Sequence, residues 1–487
     1  LALPPQVVPR GRDVPPGPFD VEIILQLIRH EEGLLGTELE DLDRYRDYYE
    51  GTQSLVFATQ EFQEAFGETF QGFRDNWCEV VVDTVEDRLD VQRISLRDES
   101  SDDPLNPDDD PVWQVFLNNE FEEIQSELYN NALVEGRSAI LVWPDDELGA
   151  RIDAQVAQNF KVTYHPDDKR RPIWAIKRWF TEAGEARMTV YFSDFIYKFR
   201  TDGNFNIINN VVTFPNTGSS WVIRPPQETG DPSWPLPNPL GMVPIVEFRN
   251  RGDVSEIINV IPQQDALNKS IVNMMVASEF HGFPQRYIIS SNKAPAEGWA
   301  SGPGTIWEIE PEVDIDGKSL PTEVGSLDAA DPSSYIKIIE FFKEDIAATS
   351  RTPIDVFGVS SQRGQRGDAP SGESRRVGEG GLIKKVEKLQ ARWSKRWVMV
   401  ARLVAAALGD ADASVTRGDV IWANPQAHYY MLLLEEGRKM IQELGLPPEM
   451  AWKRLGMDEA EIADALAYFK EREAREERMD KIDPEMP

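Results

Sequence analysis

The feature that most constrains this chain is a fixed order of hydrophobic patterns between Ser255 and Leu408. From Ser255 to about Phe280 apolar residues recur at helical spacing: Ile257, Ile258, Ile261, Leu267, Ile271, Met274 and Met275. Pro262 either kinks this helix or marks its first turn. Residues 283–333 switch to short strands, among them Arg286–Ser290 and Thr305–Ile309, punctuated by five prolines from Pro295 to Pro332. Helix returns at Ser334, a good N-cap, and runs to about Ser350. A glycine- and serine-rich loop covers 352–372. A helix of roughly 27 residues, about 40 Å long, then spans Leu382–Leu408.

The flanking regions read as a mixed body. Residues 1–20 carry six prolines from Pro4 to Pro18 and form an extended arm. Helical patterns follow from Asp20, again over Leu42–Gly51 with a glycine cap, from Phe73 to Leu89, and from Trp113 to Glu135. The stretch 98–110 is acidic, proline-broken and expected to be mobile. Between Ser138 and Phe248 the period changes to two. Strands are expected at Ala139–Trp143, Ile173–Ile176, Met188–Phe192, Phe195–Phe199 and Trp221–Ile223. Val415–Ile421 is a further strand, and Pro425–Glu476 is helical with a break at Leu446-Pro447-Pro448. The fold class is α+β, mainly helical.

At 487 residues the chain exceeds one ordinary core, and 41% hydrophobic with 10% aromatic residues excludes global disorder. The formal net charge of −33 argues against a surface that wraps nucleic acid through its phosphates, though not against one that lets DNA pass. Cys78 is the only cysteine, so neither an intrachain disulfide nor a thiolate cluster can form, which fits a reducing compartment. No apolar run reaches membrane-spanning length and no signal pattern opens the sequence, so a soluble, non-secreted protein is expected. The start at Leu1 rather than Met suggests that some N-terminal residues are missing.

Catalytic motifs do not emerge. Asp316-Gly317-Lys318-Ser319 ends like a phosphate-binding loop, but Glu312 occupies the first glycine position, where a side chain blocks the backbone from closing on phosphate. Glu312, Asp314, Asp316, Gly317 and Glu323 follow the spacing of a calcium loop. Glu at the first position, Pro321 inside the loop and strand-like flanks favour a plain acidic turn. His30, His165, His281 and His428 show no ligand spacing and read as surface or packing residues. No nucleophile-elbow motif occurs.

The most basic stretch holds Arg375, Arg376, Lys384, Lys385, Lys388, Arg392, Lys395, Arg396 and Arg402 against Glu373, Glu379 and Glu387. It reads as a helix face paired with acidic neighbours or subunits. Phosphate contact fits Arg363 and Arg366 better, because they sit in a glycine-rich loop that cannot hold a rigid reading surface. A flexible solvent loop is the competing reading there.

Several strings, taken in order, resemble the portal proteins of tailed double-stranded-DNA bacteriophages, particularly siphophages of actinobacterial hosts. They are Tyr48-Tyr49-Glu50-Gly51, Asn76-Trp77-Cys78 leading to Val81-Val82-Asp83 and Asp87-Arg88-Leu89, Pro244–Asn250 entering Asp265–Lys269, and Gly372–Arg376. The likeness covers roughly residues 20–480.

The resemblance implies a portal fold with wing, stem, clip and crown, assembled as a ring, usually of twelve. It implies an extended arm over 1–20, a wing over 21–253, stem helices over 254–281 and 334–351, and a clip over 282–333. A tunnel loop over 352–372, a long wing helix with its returning strand over 373–424, and a helical crown with an acidic tail over 425–487 complete it. The DNA-facing loop residues would be Ser360, Ser361, Gln362, Arg363, Gly364, Gln365 and Arg366. The clip would meet partners through Trp299, Trp307, Glu308, Glu310, Asp314 and Asp316. The implied partners are other copies of the chain, double-stranded DNA passing without sequence preference, the terminase large subunit, a head-completion adaptor, and capsid and scaffolding proteins. No membrane, cofactor, metal or catalytic residue is expected. A lone stem helix cannot have its apolar stripe covered by one thin subunit, so lateral packing in the ring is expected. The rival readings are another capsid or scaffold protein, or a metal-dependent nuclease, which would need carboxylates converging on one pocket.

Overall fold

The computed structural model describes residues 18–54, 75–97, 110–182, 184–201, 207–208, 211–212, 221–282, 286–289, 323–326, 333–358, 372–410, 412–426, 437–454, 462 and 465–470. Helix α1 spans Val21–Glu50 without interruption, where the sequence pattern suggested two helices. Gly33 and Gly36 weaken a helix but do not end it, because Ile24, Leu27, Ile28, Leu35, Leu42, Tyr45 and Tyr48 keep one buried stripe in register. Asp20 caps its start, and Gly51, at φ 70°, closes its end on the Asp47 carbonyl.

Helix α2 is Trp77–Glu86, shorter than the pattern from Phe73, because extended Asn76 accepts the Glu79 N–H and so sets the first turn. Strand β1 follows at Val91–Arg97. The single helix expected from Trp113 to Glu135 is two: α3 (Pro111–Asn118) and α4 (Phe121–Glu135). Glu120 sits at φ 57° between them, and Asn119 bonds the Val115 and Ala150 carbonyls and the Ile152 N–H. That side chain stops the helix and ties the corner to the neighbouring strand. Asp110, at the end of the acidic stretch, caps α3 through the N–H groups of Val112 and Trp113; residues 98–109 lie outside the described residues.

Two antiparallel sheets follow. Their strands are β2 (Arg137–Asp145), β3 (Gly149–Val156), β4 (Phe160–His165), β5 (Asp168–Phe180), β6 (Ala186–Phe192), β7 (Phe195–Thr201), β8 (Trp221–Ile223), β9 (Leu236–Pro237) and β10 (Ile245–Arg249). One sheet runs β8-β7-β6-β5-β4 with β9 also on β7, and the other runs β10-β2-β3. The five strands expected from alternation are all present. The alternation of β3 is carried by few large apolar residues, which leaves that strand silent in the sequence.

Residues 255–260 form turns rather than helix, and α5 begins only at Ile261 (Ile261–Gly282). Pro262 therefore lies in the first turn, where its missing N–H costs nothing. β11 (Arg286–Ile289) pairs antiparallel with β12 (Glu323–Ser326), while Thr305–Ile309 lies outside the described residues. Helix α6 is Ser333–Ser350. Helix α7 runs over Gly372–Ala407, 36 residues and about 54 Å, starting ahead of the expected Leu382. β13 (Arg417–Trp422) then returns to pair with β1. In the C-terminal part Gly445, at φ 63°, breaks the helical pattern, and α8 starts at Pro448 (Pro448–Arg454).

The main core is built around α7. Trp393 and Trp397 are fully buried, with Trp393 stacked on Tyr129 at 5.1 Å and Trp397 edge-on to Phe248 at 4.9 Å and Phe121 at 5.2 Å. Each indole N–H is satisfied, Trp393 on the Arg249 carbonyl and Trp397 on the Tyr129 hydroxyl. Gly136, at φ 82°, lets the chain pass Val254; a methyl group there would lie 2.8 Å from the Val254 carbonyl carbon.

Candidate assembly elements and their anchoring

The antiparallel order α5, β insert, α6 puts two helices side by side, and both are fastened to the body at one end. On α5, fully buried Gln264 accepts the Trp77 N–H at 2.9 Å and donates to the Asp75 carbonyl. One turn on, Asn268 accepts the Asp75 N–H at 3.0 Å. These amides satisfy backbone groups at the α2 start that would otherwise be buried without partners. Tyr48 of α1 donates to Asp265 at 2.7 Å, and burial raises both the phenol and the carboxyl above their ordinary ranges.

On α6 the C-terminal two turns are the fixed part. Lys343 lies 4.2 Å over the Trp77 ring, and that ring packs at 5.1 Å on Phe357 in the turn Ile354–Phe357 after the helix. Lys385 of α7 binds Glu256 at 2.7 Å and also the Ser350 carbonyl at the α6 C-terminus, a favourable end of the helix dipole for a cation. Arg88 pairs with Glu379 of α7 at 3.6 Å. Trp77 is thus where α2, α6 and the start of the following loop meet.

Away from this root the cover disappears. On α6 only Ile346, Ala347 and Ser350 are buried, whereas Ile336, Ile338 and Phe341 are 49%, 42% and 58% exposed. On α5, Leu267, Ile271 and Val272 are buried, but the side chains from Asn273 to Ser278 are partly or fully exposed.

The basic stretch on α7 is partly accounted for within the chain. Lys385 has its carboxylate, but Arg402 bonds the Thr416 carbonyl and Arg396 lies 5.9 Å over the Tyr164 ring. Among the histidines, His30 lies beside Glu31 and His165 accepts the Asp167 N–H; the side chains of His281 and His428 lie outside the described residues. So do Ser360, Ser361, Gln362, Arg363, Gly364, Gln365 and Arg366, and likewise Trp299, Trp307, Glu308, Glu310, Asp314 and Asp316. Of the calcium-like spacing only Glu323 is described, at the start of β12. Among the described residues no group of three or more His, Cys, Asp or Glu could hold a metal ion, and no helix is long and apolar enough to cross a membrane.

Sequence reasoning did not single out Gln264, Asn268, Glu256 or Lys343 as anchors. Polar residues in an otherwise apolar helix face were the available signal at Gln264 and Asn268.

The chain is similar to two mycobacteriophage portal proteins. The one from Mycobacterium phage D29 is 24% identical over 421 residues, covering 81% of this chain and 78% of that protein. The one from Mycobacterium phage L5 is 23% identical over 376 residues, covering 74% and 70%. Among solved structures, a chain from the neck of an empty gene transfer agent particle aligns with a TM-score of 0.45 at 12% identity, covering 83% of this chain and 95% of that one. The family model described as phage portal protein, SPP1 Gp6-like, matches residues 36–468, and the chain belongs to that family.

Proposed function

We propose that this portal protein is the subunit of a ring, usually of twelve copies, at one vertex of the phage capsid, through which DNA is packaged, retained and ejected. The observation that carries the reading is the set of apolar side chains that α6 leaves exposed on more than one side. Ile336, Ile338 and Phe341 are left to solvent by their own chain, and a row of identical helices around an axis would cover them. In this reading residues 21–253 with the β13 strand form the wing, α5 and α6 the stem, 282–333 the clip, 352–372 the tunnel loop, and 425–487 the crown. The clip, through Trp299, Trp307, Glu308, Glu310, Asp314 and Asp316, meets the terminase large subunit and later the head-completion adaptor. Capsid and scaffolding proteins hold the ring in place. The protein acts without catalysing a reaction, and it is assembled in the host cytoplasm before residing in the virion.

A formal charge of −33 per copy supports a channel that repels phosphate, with Arg363 and Arg366 as the few cations offered to the passing duplex. Contacts of that kind favour sliding over capture. Negative-stain microscopy of the purified protein tests the assembly: rings with a central hole are expected, and monomers with metal-dependent nuclease activity would overturn it. Deleting residues 360–368 should leave rings intact and impair packaging or retention of DNA. Loss of rings on that deletion would make the loop structural instead.

A further inference from the structure

The N-terminal half of α1 lies on the six-stranded sheet, placing Ile24, Leu27, Ile28 and Leu35 against Trp174, Ile176, Met188, Val190 and Phe199. Beside this apolar contact the same helix buries two consecutive carboxylates, Glu31 at 3% exposure and Glu32 at 6%. Both oxygens of Glu32 take the single indole N–H of Trp221 on β8, at 3.0 and 3.1 Å. Glu31 accepts the Thr163 hydroxyl of β4 at 3.1 Å and lies 3.4 Å from His30 Nδ1, but its Oε2 is buried with no hydrogen-bond partner.

The cations supplied by the surrounding elements are few. From β5 comes Arg178, 2% exposed, whose Nε donates to the Gln158 carbonyl. From β4 comes Lys161, which is paired with Glu38 at 2.8 Å, as is Arg137 of β2. β6 and β7 face the helix with Ala186, Met188, Val190, Tyr197 and Phe199, and the Tyr197 hydroxyl is taken by the Phe19 N–H. Among the described residues, Glu32 therefore has the field of one buried guanidinium, and Glu31 the edge of a half-buried imidazole. In a medium of low polarity such an imbalance is relieved most cheaply by binding a proton.

We propose that Glu31 and Glu32 form a proton-operated latch, which seats the N-terminal half of α1 on the sheet when the pair holds a proton and loosens it when both are ionised. Burial pushes the Glu32 carboxyl up to about 7, against the opposing pull of the Trp221 bond and Arg178, so the latch works near neutrality. The C-terminal half of α1, held by Tyr45 and Tyr48 in the main core, is not part of it. The latch thus divides one continuous helix into a proton-sensitive half and an insensitive half.

Hydrogen–deuterium exchange of the full chain tests this at about pH 5.5 and about pH 8, after correction for intrinsic rates. Peptides covering 21–36 should lose protection by about tenfold or more at the higher pH, while those covering 42–50 stay unchanged. Glu32→Gln, which keeps an acceptor for Trp221 but no charge, should hold the low-pH protection at both values. Glu31→Gln, removing the other charge, should also raise protection at the higher pH and serves if the first variant fails to fold. Equal protection of 21–36 in the unmodified protein at both values would overturn the latch. So would lower protection in both variants at the lower pH.

Discussion

Trp393 and Trp397 on α7 and Phe341 on α6 are all large aromatic residues on helices, yet the first two are fully buried and the third is 58% exposed. Around α7 the same chain supplies every neighbour: Tyr129 from α4, Phe248 from β10, and Phe116 and Phe121 from the α3–α4 corner. Among the described residues, the far part of α6 has only α5 alongside, and a helix pair covers at most one face of each member. The core around α7 is thus closed by the chain's own aromatic residues. The helical pair is complete only at its root, where Gln264, Asn268, Lys343 and Lys385 fasten it.

That contrast can be broken from either side. Trp397→Ala should have the largest effect, about 3–5 kcal/mol lost in chemical denaturation, because it opens a cavity among rings that cannot collapse together and leaves the Tyr129 hydroxyl with only its 3.4 Å bond to Gln125. Next comes Gln264→Ala, which leaves the Trp77 N–H and the Asp75 carbonyl buried without partners. About 1–3 kcal/mol is expected, seen as faster hydrogen exchange over 75–86 with the α7 core unchanged. If exchange at α7 rose equally, root and body would be one unit rather than two.

A pH series probes the half of the body where α1 lies on the larger sheet. The Glu32 carboxyl is raised from 4.5 to about 7 in the folded state, so the folded chain binds the extra proton between those values. Stability from this group is therefore full below about 4.5 and falls as the pH rises through about 7. Glu32→Gln should flatten that slope, by about 3 kcal/mol across the window. The smallest effect on the isolated chain is expected from Ile336→Asp combined with Phe341→Asp, within about 0.5 kcal/mol, because both side chains already face solvent. The same pair should abolish ring formation in negative stain. Intact rings would show that another surface holds the copies together.

The succession of two helices and a longer third was legible in the sequence because periodicity is a local property, while 359–371 and most of 283–332 lie outside the described residues. So were the five aromatic strands, while Pro262, which the pattern left as either a kink or a first turn, marks a helix that begins later than the expected Ser255. The helix boundaries were less legible. Glu120 breaks a run that reads as one helix because Asn119 finds the Ala150 carbonyl on a strand that follows later in the chain. Gly33 and Gly36 fail to break another because the buried stripe runs through them. The anchoring residues were silent for the same reason: an amide on a helix announces no partner, and Gln264 gains its role only where α2 begins beside it. What the sequence determined by itself was the succession of elements and the excess of negative charge. Only the tertiary structure decided that β1 pairs with β13, that two acids are buried under one sheet, and that α6 is held at one end and left bare at the other. Those outcomes depend on which surfaces meet, and local periodicity carries no information about distant partners.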